Sequence, residues 1–355
     1  MTGADSYWGD LGASAASIPG ASELYGSRIF VTGATGMICS SVIDILLFLN
    51  RAHGADITVF AAGRSERDVA TRFRGFSEAD GLVFVPYDAT SSDAVALADG
   101  VDFIIHGASN ANPAMYMQRP VETMLANIVG LSTMFDLARA NSARRLLYVS
   151  SSEVYGQQAG AEPYSEGDYG YLDILNERAG YPSSKRAGES LCVAYGMEHS
   201  VESVIVRPGH IYGPSIRMSD NRASAEFTRK AVAGEDVVLK SRGNQLRSYC
   251  FSLDCASAML TVLLRGERAN AYNISNADSI CTIGEIGEAL AKAGGVDVVY
   301  DIPEEAKQTA SNLMENSSLS SGKLEGLGWR PAFSLRRGAE RTIAILRENN
   351  GRLSI

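Results

Sequence analysis

Tyr181-Pro182-Ser183-Ser184-Lys185 sets a phenol and an ammonium four residues apart, a spacing that stacks both side chains on one face of a helix. A phenol with a pKa of about 10 is a poor base at neutral pH. A neighbouring ammonium, or the positive ring of an oxidised nicotinamide, lowers that pKa so that the phenolate can take a hydroxyl proton while hydride leaves the same carbon. The pair alone arises by chance in many helices. It gains weight from Ser150-Ser151-Ser152-Glu153-Val154-Tyr155-Gly156, which follows directly on a strand-like run. There Ser151 or Ser152 can hydrogen-bond the reacting oxygen, and Glu153 can face the substrate.

A second block supplies a place for the nicotinamide. Val31-Thr32-Gly33-Ala34-Thr35-Gly36-Met37-Ile38-Cys39 follows a short β-like run, Arg28–Thr32, and opens an apolar helical stretch from Met37 to about Arg51. Gly33 permits the tight turn. Gly36 lets the backbone approach a pyrophosphate at the positive end of the helix, beside Thr35, Met37 and Ile38. Strand before and helix after is the context that this fingerprint requires. The usual third glycine is Cys39, small enough that the helix is expected to sit only slightly further out.

The choice of cofactor is left open by the next strand, which ends Val59-Phe60-Ala61-Ala62-Gly63-Arg64 without the acid that commonly holds the ribose hydroxyls of NAD. Arg64 either pairs with a 2′-phosphate, favouring NADP, or is a solvated loop arginine. Asp88, after the third strand, either contacts adenine or caps a turn.

These groups need a scaffold, and the alternation of runs supplies one. Strands are predicted at 28–32, 57–61, 82–86, 101–106, 145–150 and 201–207, separated by helical or loop segments, with a long helix over about 121–141. The fold class is therefore α/β: a Rossmann-type, doubly wound parallel sheet covered on both faces. After Pro208 short apolar runs alternate with Gly, Pro and Arg, and helices are predicted to begin near Ser224, Leu253 and Thr282, the last with a Thr282/Glu285 capping box. The expected organisation is an extension at 1–26, loosely held by Tyr7, Trp8, Leu11 and Ile18. A dinucleotide-binding domain follows at 27–207, with returning segments. A smaller, mainly substrate-binding lobe at 208–355 lies over the carboxyl edge of the sheet, where ligands of such sheets bind.

Composition narrows the partners. The 355 residues carry a formal charge of −9, which argues against general binding to nucleic acid or to an anionic membrane. The longest apolar stretch, 42–49, is too short to span a bilayer, and the N-terminus lacks the basic-then-apolar order of a signal peptide. Five scattered cysteines form no C-x-x-C pair and no zinc pattern. They read as reduced, buried thiols in the cytoplasm, and no metal is predicted.

In this order and at these distances, the three blocks resemble the extended short-chain dehydrogenase/reductases that modify nucleotide sugars, over about 28–346. The resemblance implies a bound NAD, with NADP as the alternative, and a nucleotide-sugar substrate oxidised at C4. It implies that Ala108 and Ser109, of His106-Gly107-Ala108-Ser109, line the nicotinamide pocket with Asn127, Pro208 and Ile211, the last two from Arg207-Pro208-Gly209-His210-Ile211-Tyr212-Gly213-Pro214. Lys185 would hold the cofactor ribose. The texture is similar to UDP-glucuronate decarboxylases in Ser109-Asn110-Ala111-Asn112-Pro113 with Tyr116, in Arg178-Ala179-Gly180-Tyr181, in Asn221-Arg222 and in Gly243-Asn244-Gln245-Leu246-Arg247. It implies substrate contacts from Asn110, Tyr116, Arg178, Arg222 and Arg247, since guanidinium groups pair bidentately with phosphate or carboxylate. It also implies a homodimer built on the Asn127 and Tyr181 helices.

The family's shared 4-keto intermediate leads to decarboxylation, epimerisation or dehydration. Dehydratases commonly carry Asp-Glu where this chain has Ser152-Glu153, so decarboxylation or epimerisation ranks ahead. A simple NADPH-dependent reductase and a non-catalytic NAD(P)-binding scaffold are the remaining readings.

Overall fold

The computed structural model describes residues 3–157, 160, 162–217, 220–302, 315–351 and 353. Six strands succeed one another in the first part of the chain: β1 (Arg28–Thr32), β2 (Thr58–Gly63), β3 (Leu82–Pro86), β4 (Phe103–His106), β5 (Arg145–Val149) and β6 (Ser203–Pro208). Three strands of the lobe follow, β7 (His210–Tyr212), β8 (Val237–Leu239) and β9 (Leu246–Phe251), before β10 (Ala271–Ile274) returns to the main sheet. β1 to β6 and β10 form a seven-stranded parallel sheet in the order β10-β6-β5-β4-β1-β2-β3. The seventh strand was not predicted. Ala-Tyr-Asn-Ile is too short to read without β6 beside it, with Tyr272 opposite Val206.

The helices are α1 (Gly3–Ala16), α2 (Met37–His53), α3 (Glu66–Arg72), α4 (Pro113–Gln118), α5 (Pro120–Ala140), α6 (Gly180–His199), α7 (Ala223–Ala233), α8 (Ser252–Arg265), α9 (Ile283–Gly294), α10 (Gly322–Glu325) and α11 (Leu335–Glu348). Strand residues alternate between the two faces. Ile29 and Val31 enter a core with α2 and α8, whereas Phe30 packs with Leu131 and Phe135 of α5. β1 has β2 on one side and β4 on the other, so the chain reverses direction across the sheet there. Parallel sheets open a crevice at that point.

In the lobe, β9 is flanked by β7, by β11 (Ile280–Thr282) and by β13 (Asn316–Ser317), and β8 pairs with β12 (Val298–Tyr300). The capping box opens α9: the Thr282 hydroxyl accepts from the Glu285 amide at 3.1 Å, and the Glu285 carboxylate accepts from the Thr282 amide at 2.7 Å.

The N-terminal segment differs from expectation. It is a helix locked onto the body, not a loose extension. Tyr7 and Leu11 of α1 are buried, and the Tyr7 hydroxyl donates to Asp44 Oδ2 at 2.7 Å. Asp44 lies fully buried in α2 and pairs with Arg72 of α3, while Asp10 accepts from Arg341 of α11 at 2.6 Å. An acid inside an apolar helix is tolerated because it is paired and hydrogen-bonded.

Candidate active site

The crevice is a cavity of about 1170 Å³ running from the glycine loop to the lobe. At one end, Gly33 turns with φ 70°, and a Cβ there would lie 3.0 Å from the Ala108 amide. Gly36 begins α2 without any side-chain cap, which leaves the amides of the first helical turn free for an anion. Thr32 Oγ1 accepts from the amides of Gly107 and Ala108, each at 3.1 Å, and so ties the ends of β1 and β4 together. The Ser109 hydroxyl lines the cavity, buried and without a hydrogen-bond partner. This cradle fits a dinucleotide.

Cys39 packs against the chain just after β4. Gly107 makes the room, since a Cβ at Gly107 would lie 2.3 Å from the Cys39 sulfur. Here the small residue stands at the facing strand end.

At the adenosine side, Arg64 reaches Glu122 at 3.4 Å, so its charge is shared with a carboxylate. Asp88 accepts from the Thr90 amide and hydroxyl at 2.9 and 2.8 Å. These bonds hold its carboxyl below the usual range. Both residues line the cavity, and Asp88 acts as the cap of its turn. Arg217, which no motif marked, donates to Thr35 Oγ1 at 2.7 Å and lies across the glycine loop.

The central group comes from the start of α6 and the end of β5. Tyr181 stands in the first turn of α6, and Lys185 one turn later. Ser151 caps a short turn by accepting from the Glu153 amide at 3.2 Å, and it lies on the cavity wall with Tyr181. The Ser150 hydroxyl is engaged by Glu189 at 2.6 Å, whereas Ser151 and Ser152, on the same cavity wall with Glu153, make no such bond to a carboxylate among the described residues. Pro208 and Ile211 line the same wall from β6 and β7.

The electrostatics correct one expectation. Burial pushes the Tyr181 phenol well up, and the Glu153 carboxylate pushes the same way while Ser151 opposes it. Lys185 does not hold it down: its ammonium donates to the Val149 carbonyl at 2.8 Å and stands 5.8 Å from the centre of the Tyr181 ring. Burial lowers Lys185 itself to about 7. A second positive charge is needed beside the phenol.

Two of the predicted residues stand behind the wall and not on it. Asn127 is fully buried and donates to Ser184 Oγ at 2.9 Å, bracing α6 from α5. Tyr116 lies flat on the Tyr181 ring, with centroids 5.0 Å apart and planes 9° from parallel. Its hydroxyl donates to Glu153 Oε1 at 3.4 Å, and the Arg178 charge opposes the upward push of burial on its phenol. Burial raises the Glu153 carboxyl, against Arg178 and Tyr116.

Towards the lobe, Arg178, Arg222 and Arg247 line the cavity with Asn110, His210, Asp220 and Tyr249. Asn110 Nδ2 donates to Thr123 Oγ1 at 3.3 Å. Arg222 forks onto Asp220 through Nε, at 3.0 and 3.1 Å. His210 lies on β7, and a single histidine in the Arg207–Pro214 run carries no pattern that would have marked it. Among the described residues no cluster of three or more His, Cys, Asp or Glu could hold a metal.

A parallel sheet with a glycine turn at its switch point, and a Ser/Tyr/Lys set across the crevice, defines an extended short-chain dehydrogenase/reductase. The comparisons agree. The chain belongs to the NAD dependent epimerase/dehydratase family, whose model matches residues 29–275. It is 30% identical over 315 residues to UDP-glucuronic acid decarboxylase 6 of Arabidopsis thaliana, covering 88% of this chain and 86% of that one. With UDP-glucuronic acid decarboxylase 1 of Xenopus tropicalis the identity is 28%, over 92% and 74% of the two chains. The fold is shared with a dTDP-glucose 4,6-dehydratase of Streptomyces venezuelae solved with NAD, at a TM-score of 0.76, 23% identity and coverage of 91% and 98%. It is shared too with a UDP-glucose 4-epimerase of Thermotoga maritima, at 0.75, 20% identity and coverage of 91% and 99%.

Proposed function

We propose that the protein is an NAD-dependent nucleotide-sugar enzyme that oxidises a sugar C4 hydroxyl, and that its reaction is the decarboxylation of UDP-glucuronate. The observation that carries this reading is the buried Tyr181 phenol, set on the same cavity as Ser151, Glu153 and the glycine loop. Two relatives named for this activity, each matched over most of its length, support the substrate.

Gly33, Gly36 and the first turn of α2 would hold the pyrophosphate, Ser109 and Ala108 the nicotinamide end, and Lys185 the ribose. Bound NAD would supply the positive ring beside Tyr181, accept the C4 hydride and return it to the ketone after CO2 has left, so that a UDP-pentose forms and the cofactor is regenerated. The Tyr181 oxygen takes the C4 hydroxyl proton, with Ser151 holding the reacting oxygen. Ser151 and Tyr181 then face the new ketone oxygen, which receives the electron pair released as the 5-carboxylate leaves as CO2. Glu153, whose carboxyl is raised by burial, faces the same cavity and would be the group that returns a proton to the carbon that lost CO2. Ser152, without a carboxyl, offers no acid to protonate a leaving 6-hydroxyl, which disfavours dehydration.

The test is incubation with UDP-glucuronate labelled in its carboxylate, followed by capture of CO2 and mass spectrometry of the nucleotide sugar. Release of label with formation of a UDP-pentose is expected. Retention of the label, with a change only at C4, would replace decarboxylation by epimerisation.

We also infer a homodimer. Val121, Met124 and Leu125 of α5 and Val193 and Met197 of α6 are exposed, from 37% at Met124 to 82% at Met197, on two helices that pack side by side. A second copy of the same pair would cover this apolar face. Among the described residues no helix is long and apolar enough to cross a membrane. All five cysteines are buried and unbridged, which supports the cytoplasm as the compartment.

A further inference from the structure

His210 stands where three elements of the lobe meet. It lies on β7, opposite Tyr249 of β9 in the parallel register, with ring centroids 5.7 Å apart. Arg247 comes from the same strand β9, and Arg222 with its partner Asp220 from the entry to α7. These are the charged and titratable groups that face the imidazole. All of them line the cavity, and His210 Nδ1 is buried there without any hydrogen-bond partner.

The charges around it do not balance for an anionic ligand. Arg222 is already forked onto Asp220. Arg247 donates to the Leu246 carbonyl at 2.8 Å and has no carboxylate partner among the described residues. With Arg178 set against Glu153, the subsite therefore offers roughly one uncompensated positive charge, and the diphosphate of a nucleotide sugar brings two negative ones. Inside a cavity a surplus charge is poorly solvated, so the site gains from any group able to make up the difference.

We propose that His210 is the third donor of this anion subsite, and that seating the diphosphate draws a proton onto its imidazole. The inference rests on the nucleotide-sugar reading above and adds to it a linkage between substrate binding and proton uptake. In the free protein His210 is neutral, because burial first, and then Arg247 and Arg222, lower it to about 3. A bound diphosphate reverses the sign of the local field, and the unpartnered Nδ1 gains an acceptor.

Calorimetric titration of UDP-glucose into the NAD-loaded protein tests this, because its diphosphate diester does not titrate near neutral pH. Run at pH 6.5 in two buffers of different ionisation enthalpy, it should show uptake of about one proton per site. The affinity should weaken towards tenfold per unit as pH rises between 6 and 7. His210→Asn, which keeps a donor and cannot ionise, should bind with no uptake and little dependence on pH. Binding by the wild type without net uptake between pH 5.5 and 7, or uptake that persists in the variant, overturns the proposal alone. If UDP-glucose does not bind at all while NADH does, the nucleotide-sugar reading falls and this inference with it. Should His210→Asn not fold, His210→Gln takes its place, and uptake that persists in it overturns the proposal.

Discussion

The sulfur of Cys39 sits in the space that Gly107 leaves open, where a Cβ would approach to 2.3 Å. The two positions thus share one small space, which the sulfur fills and a side chain at 107 would contest. Gly107→Ala should therefore strain the cofactor cradle, at a cost of about 1–3 kcal/mol for overpacking, read as a lower melting temperature and weaker NADH binding. Cys39→Gly in the same chain should restore most of both. A double variant no better than Gly107→Ala would show that the two positions are not complementary.

Tyr181→Phe removes the phenolic oxygen and keeps the ring that stacks on Tyr116. Turnover of UDP-glucuronate should fall by about 10²–10⁴-fold, the usual worth of a positioned acid or base. NADH binding, followed by its fluorescence, should change little. Comparable loss of both would mean that Tyr181 shapes the pocket and does no proton transfer.

Asp44 tests what locks α1 and α3 to α2. Asp44→Asn leaves the Arg72 guanidinium buried without its counter-charge, and breaking such a pair costs about 3–5 kcal/mol. Tyr7→Phe removes one hydrogen bond and should cost about 1 kcal/mol. Urea unfolding midpoints rank the two. An Asp44→Asn protein as stable as Tyr7→Phe would contradict the pairing.

Lys185 gives stability a signature in pH. Its folded pKa of about 7 lies below the ordinary 10.5, so between those values the unfolded chain binds the extra proton and stability rises with pH. Below about pH 7 both states carry the proton, and the penalty of burying the charge is fully felt. Lys185→Met should flatten this slope in the cofactor-free protein. An unchanged slope in chemical unfolding between pH 7 and 9 would place the titration elsewhere.

Most of the scaffold was legible because it rests on local patterns. Apolar runs of strand length, a long helix after the fourth of them, and Thr282 with Glu285 at a helix start each depend on residues near in sequence, and each stands close to where it was expected. β10 and α1 were not legible. Ala271–Ile274 is a strand only because β6 lies beside it, and α1 holds its place through Asp44 and Arg341, 37 and 331 residues from their partners Tyr7 and Asp10.

The candidate site divides in the same way. Sequence alone determined that a glycine turn opens a helix, and that a phenol and an ammonium share one helix face, because both follow from spacing within a few residues. Only the tertiary structure decided that Lys185 turns to the Val149 carbonyl, that Tyr116 and Asn127 brace Tyr181 from behind, and that His210 and Arg217 reach the cavity at all. Burial and the charges brought in from distant segments set the ionisation of these groups, and no local stretch of sequence contains that information.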